Sequence, residues 1–220
     1  MTRSRNVVRV LVVATACLGA TVTAGAQPPA SMVYAHSQAL QTTDRLQDGP
    51  DGRTIELTGE TLLVWVDQGP GLFFAHPTAY ILVSSQGVRV ERGSWWPMLN
   101  GRTILYGKAN NPVISSPFEV TGDGGTSVLV HLYPEELEPG NLLADGDEVS
   151  AVMWSETFFA WVDLMPTAFF AHPTAFILVM ANGDIIVHNG HWWPLLNGKV
   201  ILYGSRGDYG VAFPFTLRGP

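Results

Sequence analysis

The 220-residue sequence predicts an all-β protein in which two tandem copies of one β-meander module are related by pseudo-twofold symmetry, as small sheets or sandwiches. Three observations support this prediction. Long motifs occur twice along the chain, apolar and polar residues alternate within short runs, and Gly-containing dipeptides mark tight turns between those runs. No amphipathic helix of useful length is present. Residues 135–144 are interrupted by Pro139-Gly140 and are interpreted as a loop.

The repeat is the strongest signal in the chain. Phe73–Val83 returns as Phe169–Val179, and the only change is Phe176 in place of Tyr80. The motif Trp-Trp-Pro-x-Leu-Asn-Gly begins at Trp95 and again at Trp192, and each copy is followed by Ile-Leu-Tyr-Gly. The intervening segment Lys108–Ser116 shares nothing with its counterpart, so these motifs have resisted a divergence that affected their surroundings. Packing at a shared contact and ligand binding both account for this.

The sequence divides into four predicted regions. These are a cleaved signal peptide (residues 1–26), a first β-rich module (27–122), a Gly-rich linker (123–126) and a second β-rich module (127–220). Each module has a usual size for a small domain. The two modules either pack face to face around a shared core or form separate sandwiches on a short linker, and the sequence leaves both arrangements open.

Within a module the elements follow in order. Leu62–Val66 is a short apolar strand, and Phe73–Val83 is predicted to be extended, with Phe74, His76, Thr78, Tyr80 and Leu82 on one face. Because Pro77 has no backbone N–H, this strand is predicted to be an edge strand or to carry a bulge.

Turn dipeptides predict two hairpins in each module. Gln86-Gly87 and its counterpart Asn182-Gly183 each precede an alternating strand, and Asn100-Gly101 separates Trp95–Leu99 from Thr103–Tyr106 with the residues that a type I′ turn requires. Pro117–Val120 adds a final strand.

The first residues have the order of a secretory signal peptide. Arg3, Arg5 and Arg9 precede an apolar run, which ends in Ala24-Gly25-Ala26. We therefore expect a periplasmic or secreted protein. The single cysteine, Cys17, lies inside this segment, so cleavage after Ala26 would leave a mature chain free of cysteine. Lipidation at Cys17 is an alternative.

Charge limits the classes of partner. The whole chain carries −7, and the three signal arginines account for +3, so the mature chain carries about −10. An acidic surface with only two lysines, Lys108 and Lys199, disfavours nucleic acid and anionic membranes as partners. No apolar stretch after the signal segment is long enough to span a bilayer.

The His-Pro-Thr motif supplies the first candidate site, formed by His76 and Thr78 with their counterparts His172 and Thr174. Imidazole and carboxylate are common metal ligands, so His76, Asp67, His172 and Asp163 are candidate ligands for a divalent metal ion. No cofactor is needed to explain folding.

The tryptophan motif supplies the second candidate site. An exposed indole near an amide or phenol hydroxyl is typical of a glycan-stacking platform. The ligand-binding candidates here are Trp95, Trp96, Asn100 and Tyr106, with Trp192, Trp193, Asn197 and Tyr203 in the second copy. Packing of both rings in the core is the alternative.

A non-catalytic binding or protein-interaction module is the function that requires the least special chemistry, with an unidentified protein, small molecule or glycan as partner. No catalytic residue is assigned, because the sequence contains no Gly-x-Ser-x-Gly and no cysteine outside the signal segment. A His76–Asp67 pair is able to act as a base, but no nucleophile is evident beside it. The acidic residues between 135 and 148 are interpreted as a solvated connector.

Overall fold

A computed structural model describes residues 31–104, 113–122, 125–201, 209–213 and 215–218. The secondary-structure elements in these ranges are all strands, which confirms that the protein is all-β. Among the described residues, no helix is long and apolar enough to cross a membrane. The predicted signal peptide with Cys17, linker residues 123 and 124, and the candidates Tyr106 and Tyr203 lie outside the described residues.

Two five-stranded antiparallel sheets form the centre of the molecule. The first contains β1 (Ser31–Ala35), β4 (Thr61–Asp67), β5 (Thr78–Ser84), β6 (Gly87–Gly93) and β20 (Phe215–Leu217), in the order β20-β1-β4-β5-β6. The second contains β10 (Phe118–Thr121), β11 (Ser127–Leu132), β14 (Thr157–Asp163), β15 (Thr174–Met180) and β16 (Ile185–Gly190), in the order β10-β11-β14-β15-β16.

Smaller sheets complete the described structure. One contains β2 (Leu46–Asp48), β3 (Thr54–Ile55), β7 (Pro97–Leu99) and β8 (Arg102–Thr103), in the order β3-β2-β7-β8. Another contains β12 (Leu142–Asp145), β13 (Glu148–Val152), β17 (Pro194–Leu196) and β18 (Lys199–Val200), in the order β13-β12-β17-β18. A two-stranded sheet pairs β9 (Val113–Ser116) with β19 (Tyr209–Ala212).

The two five-stranded sheets share one hydrophobic core. Alternate residues of their central strands meet in it: Leu62, Val64, Val66, Ala79, Ile81 and Val83 from the first sheet, and Phe158, Ala160, Val162, Ala175, Ile177 and Val179 from the second. Successive side chains of a strand point to opposite faces, so the residues between them face outward. There, Trp65 and Tyr80 pack with Leu46 of β2, and Trp161 and Phe176 pack with Leu143 of β12. The four sheets therefore lie as four layers.

The last strand of each half of the chain pairs across to the other half. β10 precedes the predicted linker but pairs with β11, and β20 at the C-terminal end pairs with β1 at the start of the described chain. Phe215 and Leu217 of β20 and Val120 of β10 are buried in the shared core. Hydrogen bonding and burial thus join the two halves at two places.

The predicted hairpins are present. β5 pairs with β6, and β15 with β16. Asn100 and Gly101 have φ values of 53° and 77°, which suit the two central positions of a type I′ turn, and they join β7 to β8. Asn197 and Gly198, at 51° and 79°, join β17 to β18 in the same way. The final strand predicted at Pro117–Val120 is β10.

The prediction for Phe73–Val83 is wrong in two respects. The strand begins at Thr78, so Phe74 and His76 belong to the preceding loop, although Tyr80 and Leu82 do share a face as predicted. The strand is also central rather than an edge, because it pairs with both β4 and β6. Pro77 lies just before the strand, where its missing N–H breaks no ladder.

Candidate functional site

Two loops of equal length carry the repeated Phe-Phe-Ala-His-Pro sequence. We call residues 68–77, between β4 and β5, the first aromatic loop, and residues 164–173, between β14 and β15, the second aromatic loop. Each loop is closed at its base by one backbone hydrogen bond, from Gln68 N–H to the Pro77 carbonyl (3.2 Å) and from Leu164 N–H to the Pro173 carbonyl (3.3 Å). The paired central strands therefore hold both ends of each loop in place.

A buried His–Asp pair lies inside the first aromatic loop. His76 Nε2 is 2.9 Å from Asp67 Oδ1, and His76 Nδ1 is 2.6 Å from the Phe74 carbonyl oxygen. The same Asp67 oxygen accepts the Gly69 N–H at 2.9 Å. His76 is 5% exposed and Asp67 is 3% exposed. The pair therefore ties the last part of the loop to the end of β4.

The second aromatic loop has the same arrangement. His172 Nε2 is 2.9 Å from Asp163 Oδ1, and His172 Nδ1 is 2.7 Å from the Phe170 carbonyl oxygen. Asp163 Oδ1 accepts the Met165 N–H at 2.9 Å. The backbone N–H of each histidine donates to the residue that directly follows β6 or β16, at the Ser94 carbonyl for His76 and the His191 carbonyl for His172 (both 3.0 Å).

Hydrogen-bond directions define the state of each imidazole. A carbonyl oxygen only accepts, so Nδ1 carries a proton, and Nε2 also donates when the carboxylate opposite it is ionised. Both ring nitrogens are thus hydrogen-bonded inside the protein, and removing either partner would leave the other buried without its hydrogen bond. Neither nitrogen has a lone pair free for a metal ion or for a proton from a substrate.

The two loops lie at opposite ends of the second sheet. The Gln68 side-chain amide donates to the Gly183 carbonyl at 2.6 Å, and Gly183 is in the turn that joins β15 to β16. The second aromatic loop enters β15 at its other end. Since β15 has seven residues, about 20 Å of strand separates the two ends.

The predicted metal ligands are therefore brought together only as two separate pairs, His76 with Asp67 and His172 with Asp163. Within the part of the chain that the structure describes, no group of three or more His, Cys, Asp and Glu residues is placed to hold a metal ion.

The phenylalanines of each loop project into solvent. Phe73 is 86% exposed and Phe74 62%, and in the second loop Phe169 is 93% exposed and Phe170 64%. Leu72 of the first loop and Met165 of the second are also exposed. Large apolar side chains clustered at a loop tip, with the loop fixed from inside, are typical of a contact surface.

The tryptophan pairs stand behind the loops. Trp96 contacts both Phe73 and His76, with ring centroids 6.4 Å and 5.8 Å apart, and it packs on the core under the first small sheet. Trp193 contacts His172 at 6.1 Å and packs on the corresponding core. Trp95 is half-buried and Trp192 exposed. The second ring of each pair thus supports the loop, and the first borders solvent.

Of the remaining candidate residues, most form hydrogen bonds that hold the fold together. Thr78 Oγ1 donates to the Trp95 carbonyl at 2.9 Å. The side-chain oxygen of Asn100 accepts the Arg45 N–H, and that of Asn197 accepts the Leu142 N–H (both 2.9 Å), so both amides fasten their turns to the neighbouring strand. Thr174 is buried, and its hydroxyl has no hydrogen-bond partner among the described residues.

Sequence reasoning missed two carboxylates behind the tryptophan motifs. Asp48 accepts the Ser94 N–H at 3.0 Å and the Trp95 N–H at 2.9 Å, and Asp145 accepts the His191 N–H at 2.9 Å. Asp145 was interpreted as part of a solvated connector, but it ends strand β12 and its side chain is only 14% exposed. The same sequence offset from the two tryptophan motifs was the signal that could have identified both.

Tyr80 completes this network in the first copy. Its hydroxyl lies 2.8 Å from Asp48 Oδ1 and 2.6 Å from the Trp95 carbonyl oxygen. Burial raises the pKa of Tyr80, and the nearby Asp48 carboxylate raises it further. Phe176 occupies this place in the second copy, and there Asp145 Oδ1 is buried without a hydrogen-bond partner among the described residues.

Comparisons with protein-family models, curated proteins and solved structures give no match to this chain.

Proposed function

We propose that the protein is an exported, non-catalytic binding protein, built from two copies of one β-rich module, and that its two aromatic loops are the contact surface. The observation that carries the proposal is the exposure of Phe73, Phe74, Phe169 and Phe170 on loops that are fixed from inside. An exposed Phe pair loses water contact only when a partner covers it, and that burial favours association.

The buried His–Asp pairs explain how the loops remain ready to bind. A loop ordered before binding loses less conformational entropy when its partner arrives. The imidazoles are used inside the protein, so they support a positioning role rather than a catalytic one. The predicted signal peptide, residues 1–26, supports a binding surface outside the cytoplasm.

The test uses the chain from Gln27 to Pro220, which contains every described residue. This protein is mixed with the native envelope fraction, and the bound fraction is measured by sedimentation. We expect binding to fall at least tenfold when Phe73, Phe74, Phe169 and Phe170 are all replaced by Ser.

A matched control is Val149→Thr with Val152→Thr, two exposed apolar residues of β13 that lie outside the loops. This variant is expected to bind like the wild type, and circular dichroism checks that both variants keep the fold. Equal binding by the Phe variant and the wild type would contradict the proposal.

A further inference from the structure

The aromatic loops are uncharged apart from their buried histidines. Residues 68–77 and 164–173 contain no Asp, Glu, Lys or Arg, although the mature chain carries about −10 once the three signal arginines are removed from the −7 total. His76 and His172 are buried and hydrogen-bonded through both nitrogens. Each aromatic loop therefore presents an apolar surface without an ionic group of its own.

The size of this surface limits what it fits. Two exposed phenylalanines and one aliphatic side chain offer at most about 500 Å² per loop, whereas a stable protein interface buries about 800 Å² on each partner. A second copy of this chain docking loop to loop would fall short of that area. A small protrusion is covered completely when it enters a deformable apolar phase, which surrounds the side chains on every side.

The residues behind the loops match the boundary of such a phase. Trp96 and Trp193 contact the loops. Trp95 and Trp192 lie next to them, with ring centroids 6.0 Å and 5.1 Å apart, and border solvent. Tryptophan is enriched where a bilayer meets water. The negative net charge opposes approach to anionic lipid, which leaves electrically neutral headgroups as the complementary surface.

We propose that each aromatic loop inserts its two phenylalanines into the interfacial region of a zwitterionic lipid bilayer. This inference rests on the proposed function, because it names the partner of the same loops. The two loops lie at opposite ends of the second sheet, so one bilayer takes up one loop and the other loop stays available. A single chain therefore bridges two bilayers.

The experiment uses the chain from Gln27 to Pro220 with protein-free phosphatidylcholine vesicles. Co-sedimentation is expected for the wild type and the Val149→Thr/Val152→Thr control, and a loss of at least tenfold for the variant with all four phenylalanines replaced by Ser. Tryptophan fluorescence is expected to be quenched by brominated phosphatidylcholine, and replacing a third of the lipid by an anionic phospholipid is expected to weaken binding.

Bridging has its own readout. The wild type is expected to cluster vesicles, measured by light scattering. Variants that lose only one loop, Phe73→Ser/Phe74→Ser or Phe169→Ser/Phe170→Ser, are expected to bind vesicles but not to cluster them. Clustering by a one-loop variant would overturn the bridging arrangement.

The outcomes separate this inference from the proposed function. If the envelope fraction binds the protein through the phenylalanines but phosphatidylcholine vesicles do not, the lipid partner is wrong and the binding role stands. If neither surface binds through the phenylalanines, both are wrong. Vesicle binding that is unchanged in the four-Phe variant would also overturn the lipid inference.

Discussion

At the scale of single residues, His76 and His172 have the clearest roles. Each bridges a carboxylate at the end of one central strand and a carbonyl within its own loop. The sequence allowed His76, Asp67 and Thr78 to be singled out, because they recur in the second copy. It did not indicate that both imidazole nitrogens are used inside the protein. That depends on the loop folding back, and the strand pattern gave no sign of the fold-back.

Replacing either histidine should destabilise the protein. His76→Ala leaves the buried Asp67 side chain without its imidazole hydrogen-bond partner, and His172→Ala does the same to Asp163. We expect each variant to lower the free energy of unfolding by about 2 kcal/mol or more, measured by urea denaturation. His191→Ala is the control, because that imidazole is exposed. A loss below about 0.5 kcal/mol for His76→Ala would instead favour a histidine that faces a ligand.

The one difference within the longest repeat allows a second residue-scale prediction. Phe176→Tyr places a hydroxyl next to Asp145 Oδ1 and Thr174 Oγ1, both buried and without hydrogen-bond partners among the described residues. Gly93 provides the room in the first copy, since a Cβ there would lie 2.6 Å from Tyr80 Cε2, and the second copy has Gly190 at the same place.

We therefore expect Phe176→Tyr to stabilise the protein by about 1 kcal/mol. At this chain length that raises the thermal midpoint by about 2–4 °C. Tyr80→Phe is the reciprocal variant and should lower stability by a similar amount, because it removes the one O–H donor that Asp48 Oδ1 and the Trp95 carbonyl share. A lower midpoint for Phe176→Tyr would show that the second copy has no room for the hydroxyl.

At the scale of elements, turn chemistry was the reliable guide. Asn100-Gly101 and Asn197-Gly198 form the hairpin turns that their residue types predict, because both positions of such a turn need positive φ. The predicted start of β5 at Phe73 was wrong for a different reason. Phe73 and Phe74 have high strand propensity, but propensity reflects packing on a half-buried surface, and both of these side chains are mostly exposed.

The roles of the carboxylates Asp48 and Asp145 could not be predicted from single strands and turns. Each bonds backbone groups 46 residues further along the chain. A local window shows only an acidic residue beside glycine, which is also the pattern of a solvated turn. The contact becomes visible only when β2 is placed beside β7, and β12 beside β17.

At the scale of the whole molecule, the alternation of side chains predicted two faces for each central strand but not what covers them. All seven residues of β4 and of β5 are buried, because one face lies in the shared core and the other lies under a small sheet. Period-two alternation assigns residues to the two faces of a strand but does not indicate which strands or sheets pack against those faces. The pairing of β10 with β11 and of β20 with β1 was therefore beyond the sequence.

Because of this pairing, we expect the two predicted modules to depend on each other for stability. When the two halves on either side of the Gly124–Gly125 bond are produced separately, β1 loses its partner β20 and β11 loses its partner β10. The separation also uncovers the shared core, including Val64 and Ile81 on one side and Phe158 and Ile177 on the other. Neither half, residues 27–124 or 125–220, is expected to be a stable folded monomer, because each would expose one full apolar sheet face.

Mixed and refolded together, the halves should recover a 1:1 complex with cooperative thermal unfolding, measured by size-exclusion chromatography and circular dichroism. Each half alone should aggregate or self-associate, since its exposed face and the free edge of β1 or β11 can pair with another copy. A half that elutes as a monomer and unfolds cooperatively would mean that the shared core contributes little. The two modules would then be independent domains, and the two aromatic loops could change their separation.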